Sequence, residues 1–380
     1  MAIIEGTCDE RFGALHRELT QFLEDGDELG ASIVVDLDGD IAVDMWGGFR
    51  DEARTQPWQR DTITNVWSTT KTVTSLAALM LVDRGDLDVD APVARYWPEF
   101  AAAGKQDVLV RHLLSHTSGV SGLEQPALIG DLYDWDKVTA RYAAQAPWWP
   151  PGSASGYHAL NFGHLIGEVL RRVTGVSLKQ FVADEIAGPL GADFQIGAAE
   201  RDWNRIADVV PPPPLPIDFA ALGPDNLTVR TFTGPLIEAS EANTPAWRRA
   251  DLGAVNGHGN ARSVGRVLSV ISRGGEVDGV RLLRPETIEL IFQEQANGMD
   301  LVLGVPLRFG IGYGLPELTT IPYIPDGKIC FWGGWGGSLI IMDVGRRATI
   351  SYMMNKMGAG IIGSDRAERY LRAIYAVLAR

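Results

Sequence analysis

Residues 67–71 read Trp67-Ser68-Thr69-Thr70-Lys71, and the residues that follow them have the periodicity of a helix. The apolar positions that share one helix face are Val73, Leu76, Ala77, Met80 and Leu81. Gly85 is a typical helix stop, so the pattern predicts a helix that begins near Ser68 and ends near Gly85. Ser68 and Lys71 are three residues apart and therefore lie on the same face of that helix.

This Ser-x-x-Lys spacing points to nucleophilic catalysis. A serine hydroxyl is a weak nucleophile until a neighbouring group takes its proton, and a buried lysine can do so because burial disfavours its charged form. The chain has six lysines, and Lys71 is the one that has a serine three residues before it. The spacing also fits an N-cap serine followed by a surface lysine, so these residues alone leave both interpretations open.

The composition is that of an ordinary globular chain of 380 residues, 46% of them hydrophobic and 22% charged. A net charge of −14 argues against binding to nucleic acid or to an anionic membrane. With only two cysteines, Cys8 and Cys330, the chain is not a disulfide scaffold. No secretory signal and no membrane-length apolar stretch is evident. We therefore expect a cytoplasmic protein that acts on a small molecule, and its composition leaves a homo-oligomer open.

Segments with β character lie at both ends of the chain. Residues 31–38 and 40–46 alternate around an Asp-Gly turn and predict a hairpin. The C-terminal part predicts three strands and a closing helix, at residues 328–332, 338–343, 348–354 and 364–380. The middle of the chain is helical, apart from a stiff extended stretch over Pro211–Pro216.

This arrangement predicts an α/β (α+β) fold. Residues 1–66 and 256–380 are expected to form one domain, an antiparallel sheet flanked by helices and built from both chain ends. Residues 67–255 are expected to form an inserted, mostly helical domain. The active site is then expected in the cleft between the two domains.

Three further motifs follow the Ser-x-x-Lys element in the chain: Arg111-His112-Leu113-Leu114-Ser115-His116-Thr117-Ser118-Gly119, Tyr157-His158-Ala159 and Trp335-Gly336-Gly337-Ser338. Their order and spacing resemble the serine β-lactamase-like superfamily, and most closely its family VIII carboxylesterases. The resemblance runs from about residue 13 to the C-terminus. It implies a β-lactamase-like fold and a serine esterase that needs no cofactor and no metal.

The resemblance also implies a role for individual residues. Ser68 would be the acylated nucleophile and Lys71 its activating partner. Tyr157 matches the tyrosine of the family's Tyr-x-Asn motif, although Ala159 stands where that motif has asparagine. Tyr157 would relay a proton beside Lys71, and the resemblance leaves open which of the two is the base.

The third motif departs from the family's Lys-Thr-Gly triplet, which corresponds here to Trp335-Gly336-Gly337. The backbone N–H groups of Ser68 and Ser338 would form the oxyanion hole. Trp335 has no charge, and the lost contact with a substrate carboxylate should cost about 1.5–3 kcal/mol of binding. This change favours neutral esters over anionic β-lactams.

Trp148, Trp149 and His158 are further candidates for the substrate pocket, although ordinary packing explains each of them equally well or better. His112 and His116 have the i, i+4 spacing of zinc helices, but no third ligand is evident. An α/β-hydrolase is disfavoured, because its nucleophile motif is Gly-x-Ser-x-Gly. Each serine of this chain that has a glycine two residues before it lacks a glycine two residues after it.

The sequence therefore predicts a carboxylesterase that hydrolyses short-chain, largely neutral esters. The alternatives within the same chemistry are a β-lactamase, a DD-peptidase, another amide hydrolase or an acyltransferase. The remote alternative is a scaffold protein of the same fold whose catalytic residues have decayed. The intact set of Ser68, Lys71 and Tyr157 argues against that last interpretation.

Overall fold

Both ends of the chain contribute strands to one nine-stranded sheet in the computed structural model, which describes residues 3–214 and 219–379. The strands of the chain are β1 (Ile4–Cys8), β2 (Gly30–Leu37), β3 (Asp40–Gly48), β4 (Ile63–Asn65), β5 (Gln195–Ile196), β6 (Ile206–Ala207), β7 (Gly257–Gly259), β8 (Glu276–Val277), β9 (Val280–Arg281), β10 (Ala296–Met299), β11 (Pro306–Phe309), β12 (Gly314–Leu315), β13 (Ile329–Gly333), β14 (Leu339–Asp343) and β15 (Ala348–Met354). The large sheet has the order β1-β3-β2-β15-β14-β13-β12-β11-β10, and every neighbouring pair in it is antiparallel. The predicted sheet built from both chain ends is thereby confirmed.

The helices surround this sheet and fill the middle of the chain. They are α1 (Gly13–Asp25), α2 (Thr70–Arg84), α3 (Val110–Leu114), α4 (Trp135–Ala144), α5 (Phe162–Thr174), α6 (Leu178–Phe181), α7 (Gly188–Leu190), α8 (Phe219–Leu222), α9 (Leu227–Phe232), α10 (Pro245–Arg249), α11 (Ala261–Ser272), α12 (Pro285–Ile291) and α13 (Asp365–Leu378). Short 3₁₀ segments occur at Glu10–Phe12, Trp67–Thr69, Val93–Arg95, Pro98–Gly104, Ile129–Tyr133, Glu200–Arg205 and Ala239–Asn243, and a π-helical turn at Val182–Ala187.

The two faces of the large sheet are covered by different helices. Ile33 and Ile350 point toward α13, whereas their chain neighbours Val34 and Ser351 lie against Gly265 of α11. Successive strand residues face opposite sides of a sheet, so each of these strands has its core residues on both faces. The continuous burial along β2, β14 and β15 follows from this double cover.

Helix α2 lies in the interior of the molecule. Every residue from Thr70 to Leu81 is buried, and the left-handed Gly85, with φ of 82°, ends the helix as the sequence predicts. A helix buried all round has no polar face; the threonine hydroxyls on α2 are instead satisfied by main-chain carbonyls, as when Thr74 donates to Gly253 at 2.6 Å.

The structure also contains elements that the sequence patterns did not predict. Strands β1 and β10–β12 extend the two edges of the large sheet, and β5-β7-β4-β6 form a small second sheet. In that small sheet β4 pairs with β7, directly beside the domain boundaries predicted at residues 66/67 and 255/256. That division stays a prediction.

Two smaller points complete the fold. Of the extended stretch predicted at Pro211–Pro216, Leu215 and Pro216 lie outside the described residues. Across residues 3–214 and 219–379, no helix is both long enough and apolar enough to span a membrane.

Candidate active site

Ser68 lies in the tight turn that leads into α2. The preceding Trp67 has φ of 51°, a left-handed conformation that costs a bulky residue free energy and that is concentrated at functional sites. The turn is held by Thr70, whose hydroxyl donates to the Trp67 carbonyl at 2.6 Å and accepts from the Gly257 N–H at 2.8 Å. The Ser68 side chain is thereby presented at the start of the helix, where backbone N–H groups are free to bind negative charge.

Lys71 is 2% exposed and has three hydrogen-bond partners. Its Nζ lies 3.0 Å from Ser68 Oγ, 2.7 Å from the Ala159 carbonyl oxygen and 3.1 Å from the Ala254 carbonyl oxygen. No carboxylate is among these partners, and burial lowers the pKa of Lys71 well below its usual value. A neutral amine has two N–H groups and one lone pair, so it can bond both carbonyls and still accept a proton from the Ser68 hydroxyl.

Tyr157 joins these two residues at the same place. Its ring lies 4.8 Å from Lys71 Nζ, and the Trp332 indole N–H donates to its hydroxyl at 3.3 Å. Burial raises the pKa of Tyr157 to about 12, although hydrogen bonds with Ser68 and Trp332 offset part of the increase. The phenol is therefore protonated at neutral pH, and can pass on a proton rather than act as a phenolate.

The backbone of Tyr157 is anchored by a buried aspartate. Asp300 Oδ1 accepts from the Tyr157 N–H at 3.1 Å and from the N–H groups of Val302 and Leu303 at 3.0 and 2.9 Å. Because Asp300 is 143 residues away in the chain, this contact ties the tyrosine loop to the segment before β11.

A narrow cavity of about 100 Å³ opens beside the Ser68 hydroxyl. It is lined by Trp67, Ser68, Tyr157, Ala159, Leu160, Phe219, Phe232, Pro235, Leu236, Ile237, Val255, Trp335 and Ile361. No charged side chain is among these described lining residues. Larger and more open grooves lie elsewhere, one of about 760 Å³ beside Lys356 and Arg366, but they contain neither Ser68 nor Lys71.

The turn between β13 and β14 closes one side of this cavity. Trp335 lines the cavity, and its ring packs against Trp67 with a centroid distance of 5.1 Å. Gly334 brings this turn against the segment that precedes Ser68, because a Cβ atom at Gly334 would lie 2.5 Å from the Val66 carbonyl oxygen. Gly336 and Gly337 follow with φ of 86° and 124°, and they shape the turn rather than the cavity wall.

Ser338 lies at the end of this turn and points away from the cavity. Its hydroxyl donates to the Val66 carbonyl at 2.8 Å and lies 3.0 Å from the Thr69 hydroxyl. These bonds fasten the turn between β13 and β14 to the turn that carries Ser68. Ser338 is not among the residues that line the cavity, so its predicted part in the oxyanion hole stays a prediction.

The structure does not bring Trp148, Trp149 or His158 to the cavity. The Trp148 indole contacts Glu124, and the Trp149 indole donates to the Ala154 carbonyl at 3.0 Å. His158 is fully buried and lies 2.6 Å from the Ser118 hydroxyl.

The two histidines with zinc-helix spacing are also held by protein groups. His116 is buried among the rings of Tyr157, Phe309 and Trp332, and its Nδ1 accepts from the His158 N–H at 3.1 Å. His112 Nδ1 accepts from the Leu109 N–H at 3.1 Å. Within residues 3–214 and 219–379, no group of His, Cys, Asp and Glu is placed to hold a metal ion.

Sequence reasoning missed two parts of the site. Trp332 was one, although the triplet Trp-Gly-Gly occurs twice in succession, at 332–334 and at 335–337, and the first copy carries the indole that meets Tyr157. The other was the apolar wall formed by Phe219, Phe232 and Pro235–Ile237. That segment has no motif and no clear periodicity that would have pointed to it.

Fold and site together are those of a serine hydrolase, with Ser68 and Lys71 in a Ser-x-x-Lys motif beside the cavity. The chain belongs to the Beta-lactamase family, whose profile matches residues 15–374. It is 32% identical over 378 residues to the esterase/beta-lactamase LipL of Mycobacterium tuberculosis, and the aligned region covers 95% of this chain and 85% of that relative.

Two solved structures are similar over nearly the whole chain. One is a family VIII carboxylesterase, with 38% identity and a TM-score of 0.92 over 99% of this chain and 100% of the other. The second is a penicillin-binding protein homologue from Caulobacter crescentus, with 37% identity and a TM-score of 0.91 over 99% of this chain and 100% of the other. These relatives support an ester hydrolase.

Proposed function

We propose that this protein is a carboxylesterase that cleaves neutral esters of short acyl chains through an acyl-enzyme on Ser68. The observation that carries the proposal is the set of contacts around Lys71. Its Nζ lies 3.0 Å from the Ser68 hydroxyl, and two main-chain carbonyls occupy its other hydrogen-bonding positions. A lysine held in this way presents its lone pair to the nucleophile.

In the acylation step, the Ser68 oxygen attacks the ester carbonyl carbon while its proton passes to Lys71 Nζ. Lys71 is the base rather than Tyr157, because burial lowers the pKa of the amine and raises that of the phenol to about 12. The ester C=O becomes a C–O⁻ in the tetrahedral intermediate, and preorganised N–H donors stabilise that charge.

The Ser68 N–H is one of these donors, and the turn between β13 and β14 supplies the second. We assign the second donor to the Trp335 N–H rather than to that of Ser338. Trp335 lines the cavity beside Ser68, whereas Ser338 does not. The Ser338 side chain instead anchors the turn from behind.

When the intermediate collapses, the bond from carbon to the alcohol oxygen breaks. The proton that Lys71 accepted passes to the departing alcohol through the Tyr157 hydroxyl, which is hydrogen-bonded with Ser68 and whose ring lies 4.8 Å from Lys71 Nζ. A water then completes the reaction: it gives a proton to Lys71 and attacks the acyl carbon, and as the bond from that carbon to Ser68 Oγ breaks, Lys71 returns the proton to Oγ and the acid leaves. No redox step and no co-reactant other than water is needed.

The cavity favours a neutral, apolar acyl or alcohol group. Apart from Ser68 and Tyr157, its lining side chains are aliphatic or aromatic, and an anionic substrate would lose its hydration there without gaining a cationic partner. A volume of about 100 Å³ matches a short chain better than a fatty acyl chain. The name of LipL includes β-lactamase, so slower opening of a β-lactam ring by the same serine is the second candidate.

The test is hydrolysis of nitrophenyl acetate and butyrate by wild type and by Ser68→Ala, with intact-protein mass spectrometry to detect the acyl-enzyme. We expect turnover and a mass increase on wild type, and neither on the variant, which should melt at the same temperature. Ester turnover by Ser68→Ala would refute the mechanism. A rate on nitrocefin above that on nitrophenyl butyrate would favour the β-lactamase alternative.

A further inference from the structure

An ion pair is buried next to the turn that carries Trp335. Arg366, on the first turn of α13, is paired with Glu28 through a contact of 2.7 Å, and the exposed side-chain fractions of the two are 7% and 0%. The other carboxylate oxygen of Glu28 accepts from the hydroxyls of Tyr352 and Tyr370. The Glu28 carboxylate therefore holds the Arg366 guanidinium in one position.

The remaining donors of Arg366 reach three main-chain carbonyls. Its Nη1 donates to Asp27 at 2.9 Å, and its Nη2 donates to Lys356 at 2.8 Å and to Gly336 at 3.3 Å. Gly336 lies in the turn between β13 and β14, between Trp335 and Ser338. The guanidinium thus connects α13, the loop after β15 and the turn that closes the cavity.

The same turn has few other anchors at its tip. The Gly336 carbonyl also accepts from the Gly358 N–H at 2.7 Å, and the Gly336 N–H donates to the Gly360 carbonyl at 3.1 Å. Both partners belong to the loop after β15, and Arg366 holds that loop too through Lys356. Loss of the guanidinium therefore loosens the turn both directly and through the loop that supports it.

The position of Arg366 is not explained by stability alone. A cation in the first turn of a helix is opposed by the positive end of the helix dipole. A buried ion pair is also weak evidence for stabilisation, because the cost of desolvating both charges offsets their attraction. The planar guanidinium fork, however, fixes the directions of its N–H donors more rigidly than the flexible ammonium group of a lysine does.

We propose that Arg366 is a positioning residue for ester hydrolysis, one that holds the turn of residues 334–338 so that its N–H groups meet the oxyanion. The inference rests on the proposed function. It does not depend on which N–H is the second donor, because Gly336 lies between Trp335 and Ser338. Arg366 touches neither Ser68 nor the cavity, so it acts through the backbone of this turn.

The experiment compares wild type with Arg366→Met and Arg366→Lys. The matched control is Arg262→Met, because Arg262 forms a bidentate pair with Asp44, donates to the Arg60 carbonyl at 3.0 Å and does not line the cavity. For each variant we would measure kcat and KM on nitrophenyl butyrate, the melting temperature, and the affinity for a phenylboronic acid. A boronate on Ser68 forms a tetrahedral adduct whose oxygen occupies the oxyanion hole.

We expect kcat of Arg366→Met to fall about tenfold with KM nearly unchanged, less than the 10²–10³-fold cost of deleting an oxyanion donor. Boronate affinity should fall in parallel, and Arg366→Lys should recover part of both. Arg262→Met should lower the melting temperature while kcat and boronate affinity stay at the wild-type values.

An Arg366→Met protein that melts earlier but keeps full kcat and boronate affinity would overturn the proposal and leave Arg366 a structural residue. If Arg366→Met does not fold, Arg366→Lys and Glu28→Gln replace it in the experiment. A parallel fall of kcat and boronate affinity in these variants would support the proposal, and wild-type values of both would overturn it. The two failures are distinguishable: absent ester turnover by wild type would refute the proposed function, whereas full turnover by the folded variants would refute this inference alone.

Discussion

Two buried lysines of this chain have closely similar surroundings, and only one of them lies beside a hydroxyl. Lys71 and Lys105 are 2% and 0% exposed, and each has its Nζ near an aromatic ring, at 4.8 Å from Tyr157 and 5.1 Å from Phe100. Each is also bonded to main-chain carbonyls. Lys105 lies between the 3₁₀ segment Pro98–Gly104 and the C-terminal end of α4, well apart from Lys71 in the sequence.

The two lysines differ in the third hydrogen-bond partner of the side-chain amine. Lys105 meets the carbonyls of Ala102, Ala143 and Gln145, and three acceptors require the three N–H donors of an ammonium ion. Burial lowers the pKa of Lys105 to about 8, so it stays largely charged at neutral pH. Lys71 meets two carbonyls and the Ser68 hydroxyl, which suits a neutral amine. Burial lowers the pKa of both lysines, and the difference between them is that Lys71 has a hydroxyl beside its amine, the Ser68 side chain, from which it can take a proton.

The largest effect is expected from replacing these two lysines in turn. Lys71→Met should lower kcat/KM on nitrophenyl butyrate by about 10³-fold, because general-base catalysis is worth about 10²–10⁴-fold. Lys105→Met should leave kcat/KM per folded molecule unchanged and should lower the melting temperature, since three carbonyls lose their donor. Rates and thermal melts of both variants measure this. Equal losses of activity in the two variants would mean that Lys71 is only structural.

The second comparison uses two buried tyrosines. Tyr157→Phe should reduce kcat about 10²-fold, because the departing alcohol then lacks its proton relay. Tyr142, on α4, is fully buried and its hydroxyl has no partner among the described residues, so Tyr142→Phe should match wild type. The acylation burst and the steady-state rate should be measured for both. Unchanged turnover by Tyr157→Phe would show that Lys71 protonates the alcohol itself.

The third prediction concerns pH. The folded pKa of Lys71 lies below its usual value of 10.5, and the active form is the neutral amine. Activity should therefore fall by up to about tenfold per pH unit as the pH decreases through that lowered pKa. Tyr157 ionises only at about 12, so its phenol causes no loss at moderately alkaline pH. The measurement is the pH dependence of kcat/KM.

The titration of Lys71 also affects the free energy of unfolding. Between the lowered folded pKa of Lys71 and 10.5 the unfolded chain binds the extra proton, so this residue makes the free energy of unfolding rise with pH. Lys71→Met should show a weaker rise over that window when urea unfolding is followed at several pH values. A wild-type stability that falls across the window, relative to the variant, would contradict a neutral Lys71.

A smaller effect is expected at Trp332. Its indole donates to the Tyr157 hydroxyl at 3.3 Å, a long and therefore weak bond, so Trp332→Phe should lower kcat about fivefold, as expected for a neutral hydrogen bond of about 1 kcal/mol. Trp135→Phe is the control, because its indole donates at 2.8 Å to Glu168, which does not line the cavity. A similar kcat loss in both variants would assign the effect to packing.

The sequence predicted those parts of the site that depend on local spacing. Ser68 and Lys71 lie on one helix turn, so three positions of sequence were enough to pair them. The contact between Tyr157 and Asp300 spans 143 residues and depends on how the sheet pairs, which no local pattern encodes. The two successive Trp-Gly-Gly triplets could not be told apart, because their alignment depends on where β13 ends. The ion pair of Arg366 with Glu28 spans 338 residues, so no local pattern marks Arg366 either.

The smallest effect is expected at the apolar wall, which should control selectivity rather than rate. Phe232→Ala enlarges the cavity beside Ser68, so kcat/KM for nitrophenyl hexanoate relative to butyrate should rise about threefold, below the 10–200-fold that a methylene is worth in a rigid pocket. Leu128→Ala is the control, since Leu128 is 73% exposed and does not line the cavity. An equal fall on both esters would show that Phe232 supports the catalytic residues instead. If the hexanoate-to-butyrate ratio of kcat/KM rises while kcat on butyrate is unchanged, the apolar wall selects the acyl chain without affecting the Ser68–Lys71 pair.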